Sequence, residues 1–158
     1  MSSLTTLYGI WQNGGPGSPN YTLAGGSSAR GSSLGTQRGF LMNYNERTGV
    51  FGSPTFYSYG NAPAAVTHFD GITKVPGGFN LVAVSSAQPS SMAFVPTTGG
   101  NWPSFGTATW HPIDVAASQV CSATCTRVTG NTVYQNQVMG LYVVNKTNNT
   151  YLATVPTP

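Results

Sequence analysis

The sequence predicts an all-β protein, a single-domain β-sandwich, jelly roll or barrel of short antiparallel strands. Three observations carry this reading. Twenty glycines and eleven prolines interrupt nearly every window of the 158 residues. Few windows therefore hold the apolar spacing that a helix of ordinary length needs. Short runs of β-branched and aromatic residues recur at about ten-residue intervals, as in sandwiches and barrels. Explicit turn signals separate those runs.

The first strand is expected at 4–11, LTTLYGIW. The stretch 12–37, QNGGPGSPNYTLAGGSSARGSSLGTQ, is rich in Gly and Ser and almost free of core-forming residues. It reads as a long loop, or as an arm that orders against a neighbouring subunit. Strands are then expected at 38–44, 54–59, 64–69, 78–85, 91–95 and 105–111. NERTG (45–49), YGNAP (59–63) and TTGGNWP (97–103) supply turns between them. IDVAASQV (113–120) suits a helix or a strand equally. Further strands are read near 114–121, 125–129, 132–145 and 149–155, with TGN (129–131) as a turn. LYVVNKTNNTYLATV (141–155) is the clearest hairpin, two alternating runs around a polar turn. The terminal VPTP is extended and cannot continue a central strand. A length of 158 residues suits one domain with one sizeable core.

Charged residues are 6% of the chain, against about 25% in an ordinary soluble domain. The polar surface must come from neutral Ser, Thr, Asn and Gln. Such a surface steers charged partners weakly and gives little protection against self-association. The net charge of +3 arises from six scattered bases, Arg30, Arg38, Arg47, Lys74, Arg127 and Lys146. Without a basic run, nucleic acid is not an expected partner. No apolar run approaches the ~20 residues of a spanning helix. The start, MSSLTTLYGIWQ, lacks a positive segment followed by an apolar one, so no signal peptide is read there.

The inventory of reactive side chains is small. Three carboxylates, two histidines and two cysteines make up the acid–base and metal-binding groups. Both histidines stand near an aspartate, His68 two residues before Asp70 and His111 three before Asp114. Convergence of the two pairs would create a two-His, two-carboxylate metal site. Read structurally, HFDG is a strand end entering a turn, and Pro112 sets His111 extended. No nucleophile elbow, phosphate loop or recognisable carboxylate pair occurs, so no catalytic residue, enzyme activity or cofactor is assigned.

Aromatics beside turn residues are the stronger signal. Trp102, Asn101, Tyr57 and Tyr59 form a candidate glycan site, with rings for sugar C–H faces and an amide for hydroxyls. Read structurally, such rings plug a sandwich or cover a subunit interface. Trp11 and Trp110 fall in strand-like runs and read as core.

Cys121 and Cys125 flank SAT. The spacing is wrong for a thioredoxin-type pair, and a zinc site would need both histidines as well. Along one strand, Cα atoms four apart lie about 13 Å from each other, too far for a disulfide. Across a hairpin tip they face each other at about 5.5 Å. A disulfide clamp is the preferred reading, with two free thiols as the alternative.

Two functions from different classes follow. The first is a non-enzymatic, self-associating structural or surface protein, a homo-oligomeric subunit of an extracellular fibre, an appendage or a virus or phage particle. The second is a soluble, lectin-like carbohydrate-binding module. A disulfide would match an extracellular or particle-exterior location. Intact mass after alkylation without reductant is expected to show no labelled thiol. Two labelled thiols would remove the main support for that location.

Overall fold

A computed structural model describes residues 3–29, 37–62, 65–113 and 126–156 of the chain. It is all-β, as expected. The described residues form thirteen strands and one short 3₁₀ turn, Tyr59–Asn61. No helix among them is long and apolar enough to cross a membrane.

The strands build three antiparallel sheets. The first joins β1 (Ser3–Asn13), β2 (Asn20–Ala29), β3 (Arg38–Asn45) and β4 (Val50–Phe51), with β5 (Thr55–Tyr57) also on β3. The second has the order β10 (Thr109–Pro112), β8 (Ser91–Thr98), β7 (Gly78–Ser85), β6 (Thr67–Val75), with β9 (Ser104–Phe105) on β8. The third is β11 (Thr126–Tyr134), β12 (Gln137–Val144) and β13 (Thr147–Thr154) in chain order.

The second sheet is the middle layer. A strand sends alternate side chains to opposite faces. Along β7, Phe79, Leu81 and Ala83 meet Ala24 and Leu41 of the first sheet, with Phe69 and Ile72 of β6 in the same core. Val82, on the opposite face, joins Met92, Val133, Val138, Tyr142 and Tyr151 in a second core. A strand buried on both faces reads as a continuous apolar run, and GFNLVAVS is nearly that. Its exception, Asn80, is buried and donates from Nδ2 to the Gln135 carbonyl at 2.7 Å, holding the β11–β12 turn. Tyr151 and Ser90 hydroxyls lie 2.5 Å apart, and Tyr151 also donates to the Thr129 carbonyl. These bonds tie the third sheet to the loop before β8.

Glycines set how closely the layers approach. A Cβ on Gly9 would lie 2.9 Å from the Ile72 side chain, and one on Gly39 would lie 2.9 Å from the Phe69 ring. On the other side of the middle sheet, a Cβ on Gly130 would run into Val82.

The structure corrects four sequence-based expectations. The stretch 12–37 is not one loop: β1 reaches Asn13, and β2 occupies Asn20–Ala29. Pairing on both edges, with β1 and β3, outweighs the weak strand propensity of AGGSSA. HFDG is not a strand end. Register steps from Phe69↔Ala83 to Gly71↔Val82, so Asp70 is the extra residue of a bulge inside β6. The segment 132–145 is two strands, because Tyr134↔Gln137 closes a hairpin with Gln135 at φ 53°. TGN, read as a turn, is an irregularity inside β11. The hairpin at 141–155 holds, with a two-residue turn at Asn145 and Lys146, both at positive φ as a type I′ turn requires.

Gly130→Ala is expected to cost about 1–3 kcal/mol, since the added methyl must displace a buried side chain in a packed core. Urea unfolding checks this. An unchanged midpoint would mean that the two sheets are not in tight contact there.

Candidate functional site

The hairpin from β3 through β5 lies across from the β8–β9 turn and creates two adjoining hollows. The first, about 270 Å³, is lined by Asn43, Gly52, Ser53, Thr55, Trp102, Pro103, Ser104 and Phe105. The second, about 390 Å³, shares Thr55 and Phe105 and continues past Phe56, Tyr57, Ser58, Asn61 and Thr107 to Arg38.

Local sequence explains the positions. In GFLMNYN, Leu41 and Asn43 share a face of β3, and that face is the core face. Asn43 is only 6% exposed. Its Nδ2 donates to the Pro103 carbonyl at 2.8 Å. Because that partner can only accept, the amide orientation is settled by chemistry. Oδ1 is left buried with no hydrogen-bond partner. Trp102 is 41% exposed at the same hollow. Gly52 packs between them: a Cβ there would lie 3.3 Å from the Trp102 ring and 3.4 Å from the Asn43 Cβ. The lining thus offers one aromatic face and several hydroxyls, without a charge in the first hollow.

The sequence-proposed glycan residues divide. Trp102 and Tyr57 line the neighbouring hollows. Tyr57 is buried, donates to the Gly106 carbonyl at 3.1 Å, and burial pushes its phenol well above the usual range. It shapes a wall and offers no free ring for stacking. Tyr59 lies edge-on to Trp110, ring centres 5.3 Å apart, outside both hollows. Asn101 borders Gly14 of the β1–β2 turn, where a Cβ would come within 2.7 Å of its amide. The amide at the hollow is Asn43, which the sequence reading did not select. Its signal was a polar residue at an inward position of an otherwise apolar strand.

The two histidines do not converge. His68 Nδ1 and Asp70 Oδ1 are 3.5 Å apart, with Tyr8 edge-on to the imidazole at 5.9 Å. His111 is on β10, paired with Met92, and its Nε2 is buried without a partner. Among the described residues β6 and β10 are the two edges of the middle sheet, three strand spacings or about 14 Å apart. Among the described residues no three His, Cys, Asp or Glu side chains gather to hold a metal. Asp114, Cys121 and Cys125 lie outside the described residues.

Comparison with family models, curated proteins and solved structures finds no match to this chain.

Burial raises the Asp70 carboxyl above the usual carboxylate range, and the nearby His68 partly opposes this. The folded chain then holds this proton at pH values where the unfolded chain has lost it. Stability from this group is present at low pH and is lost as pH rises through the folded value. Asp70→Asn, which cannot ionise, is expected to gain stability over the natural chain as pH rises from about 3 to 7. Thermal melts across that range check the sign. A loss at neutral pH would mean that the ionised Asp70 is held favourably by His68.

Proposed function

We propose that this chain is a non-enzymatic structural subunit that associates with copies of itself, outside the cell or on the exterior of a particle. The observation that carries this reading is the outward face of the first sheet. Register aligns its side chains into apolar rows. Leu7, Phe40 and Phe56 lie in one row across Gly25, and Ile10, Leu23 and Met42 in the next. Tyr21, Tyr44 and Phe51 form a third, with ring centres 6.5 and 4.6 Å apart.

Leu23 and Phe40, on this outer face, are buried yet belong to neither core of the described residues. Other residues of the rows are open to solvent: Leu7 is 52%, Ile10 59% and Phe51 58% exposed. Contiguous apolar surface of this kind marks an interaction site. Charge sits at its margins and is itself engaged. Arg38 lies over the Phe56 ring at 4.3 Å, and Glu46 accepts from the Tyr21 hydroxyl at 3.1 Å.

A second copy fits this surface better than a charged partner. The chain has few charges to complement one. Among the described residues β1 is also an edge strand, eleven residues long, SLTTLYGIWQN, with no charge and no proline. Natural edges are commonly protected by those residues, and an unprotected edge favours pairing with another chain. The third sheet adds a smaller apolar face on the far side, where Met139 pairs Leu152 and Leu141 and Tyr134 are exposed.

Sedimentation velocity is expected to find oligomers whose mass rises with concentration. Leu7→Lys combined with Ile10→Lys, both at exposed positions, is expected to shift the chain towards monomer with little change in folded stability. A monomer for the natural chain at every concentration would refute the reading.

A further inference from the structure

We infer that the hollow between Asn43 and Trp102 is a binding site for a neutral sugar unit of an oligosaccharide. This does not rest on self-association: the site lies on the core-facing side of β3, away from the apolar rows. Trp102 is 41% exposed at this hollow. Opposite it, Asn43 is held in place by its Nδ2 bond to the Pro103 carbonyl.

The rest of the lining narrows the ligand. Ser53, Thr55 and Ser104 present hydroxyls, and none of the lining residues is ionisable. Such walls give an anion or a cation no counter-charge. Trp102 supplies an aromatic surface open to solvent, and among the described residues no other aromatic ring packs against it. A ligand that presents hydroxyl donors on its edge and C–H groups on its face satisfies both halves of this site. A pyranose has that construction. The hollow's volume of about 270 Å³ is near the lower end for small-molecule sites, and suits one ring. The adjoining hollow, reached past Thr55 and Phe105, leaves room for a second unit along the chain of the saccharide.

Gly52 is part of the arrangement. Its missing side chain lets the Trp102 ring and the Asn43 Cβ both approach the same short stretch of backbone.

The test is a glycan array followed by calorimetric titration with the neutral oligosaccharides that score. The natural chain, Trp102→Ala, Trp102→Phe and Ser53→Phe are compared, with circular dichroism to confirm folding. If the natural chain self-associates, the Leu7→Lys, Ile10→Lys background carries each variant. At least one neutral oligosaccharide is expected to bind and to quench tryptophan fluorescence. Trp102→Ala should weaken it about tenfold or more, while Trp102→Phe retains most of the affinity. Ser53→Phe, at an exposed position on the mouth, should block binding without touching the core. Absence of binding by any neutral glycan at millimolar concentration would overturn the inference. So would binding restricted to anionic glycans, or binding left intact in both Trp102→Ala and Ser53→Phe.

Discussion

The structure depends on burying the middle sheet on both faces. β7 can do so because its side chains are apolar in both directions, Phe79, Leu81 and Ala83 one way and Val82 the other. Its polar exception, Asn80, is held by the Gln135 carbonyl. That condition forces two outer sheets to approach one inner sheet from opposite sides. Approach is limited by side-chain bulk, and glycine is what removes the limit. Gly9 and Gly39 admit Ile72 and Phe69 of β6 to the first sheet, while Gly130 admits Val82 to the third. The high glycine content therefore has a packing role inside strands as well as a conformational role in turns. Bulges follow from the same demand. The extra residue at Asp70 returns Ile72 to the face already used by Phe69, so both enter one core.

This explains what could be read from the sequence and what could not. Strands with β-branched or aromatic residues on their buried face, such as GFNLVAVS and SMAFV, announce themselves. So do turns built on residues that accept positive φ, such as Asn145 with Lys146. β2 does not. Its central residues AGGSSA are small because β6 and the backbone of β1 crowd them, with Thr6 blocking any Cβ at Gly25 and His68 any at Gly26. A segment chosen to be thin reads as a linker when the partner that needs the thinness is remote in sequence. The candidate site was half legible for a related reason. Trp102 stands beside turn residues and is visible as such, whereas Asn43 acquires its meaning from Pro103, sixty residues later. His68 and His111 shared a motif with aspartate, but strand order among the described residues places them on opposite edges of a sheet, and no local pattern encodes strand order.

The two proposals use different sides of the first sheet. Its inward face packs on the middle sheet and, at the β9 end, borders the Trp102 hollow. Its outward face carries the aligned rows of Leu, Ile, Met, Phe and Tyr. Because successive residues of a strand point to opposite faces, Asn43 serves the hollow while its neighbours Met42 and Tyr44 serve the outer surface. Association through the outer rows would leave the hollow accessible. A subunit could then present the hollow repeatedly along an assembly, where several weak sugar contacts combine into firm attachment.

The position of the apolar faces also constrains the form such an assembly takes. The first and third sheets lie on opposite sides of the middle one, and each has an apolar outer surface. The two surfaces differ in character, one broad and rich in aromatics, the other narrow and built on Met139, Leu141 and Leu152 with Tyr134 beside them. A subunit with a single such face would close into a two-fold dimer and stop. With two, pairing like to like still leaves the second face of each subunit outward after the first has been used. Pairing unlike to unlike does the same. Either way growth is not terminated by symmetry, so the three-layer arrangement itself favours an open array over a closed ring, unless curvature brings the ends together.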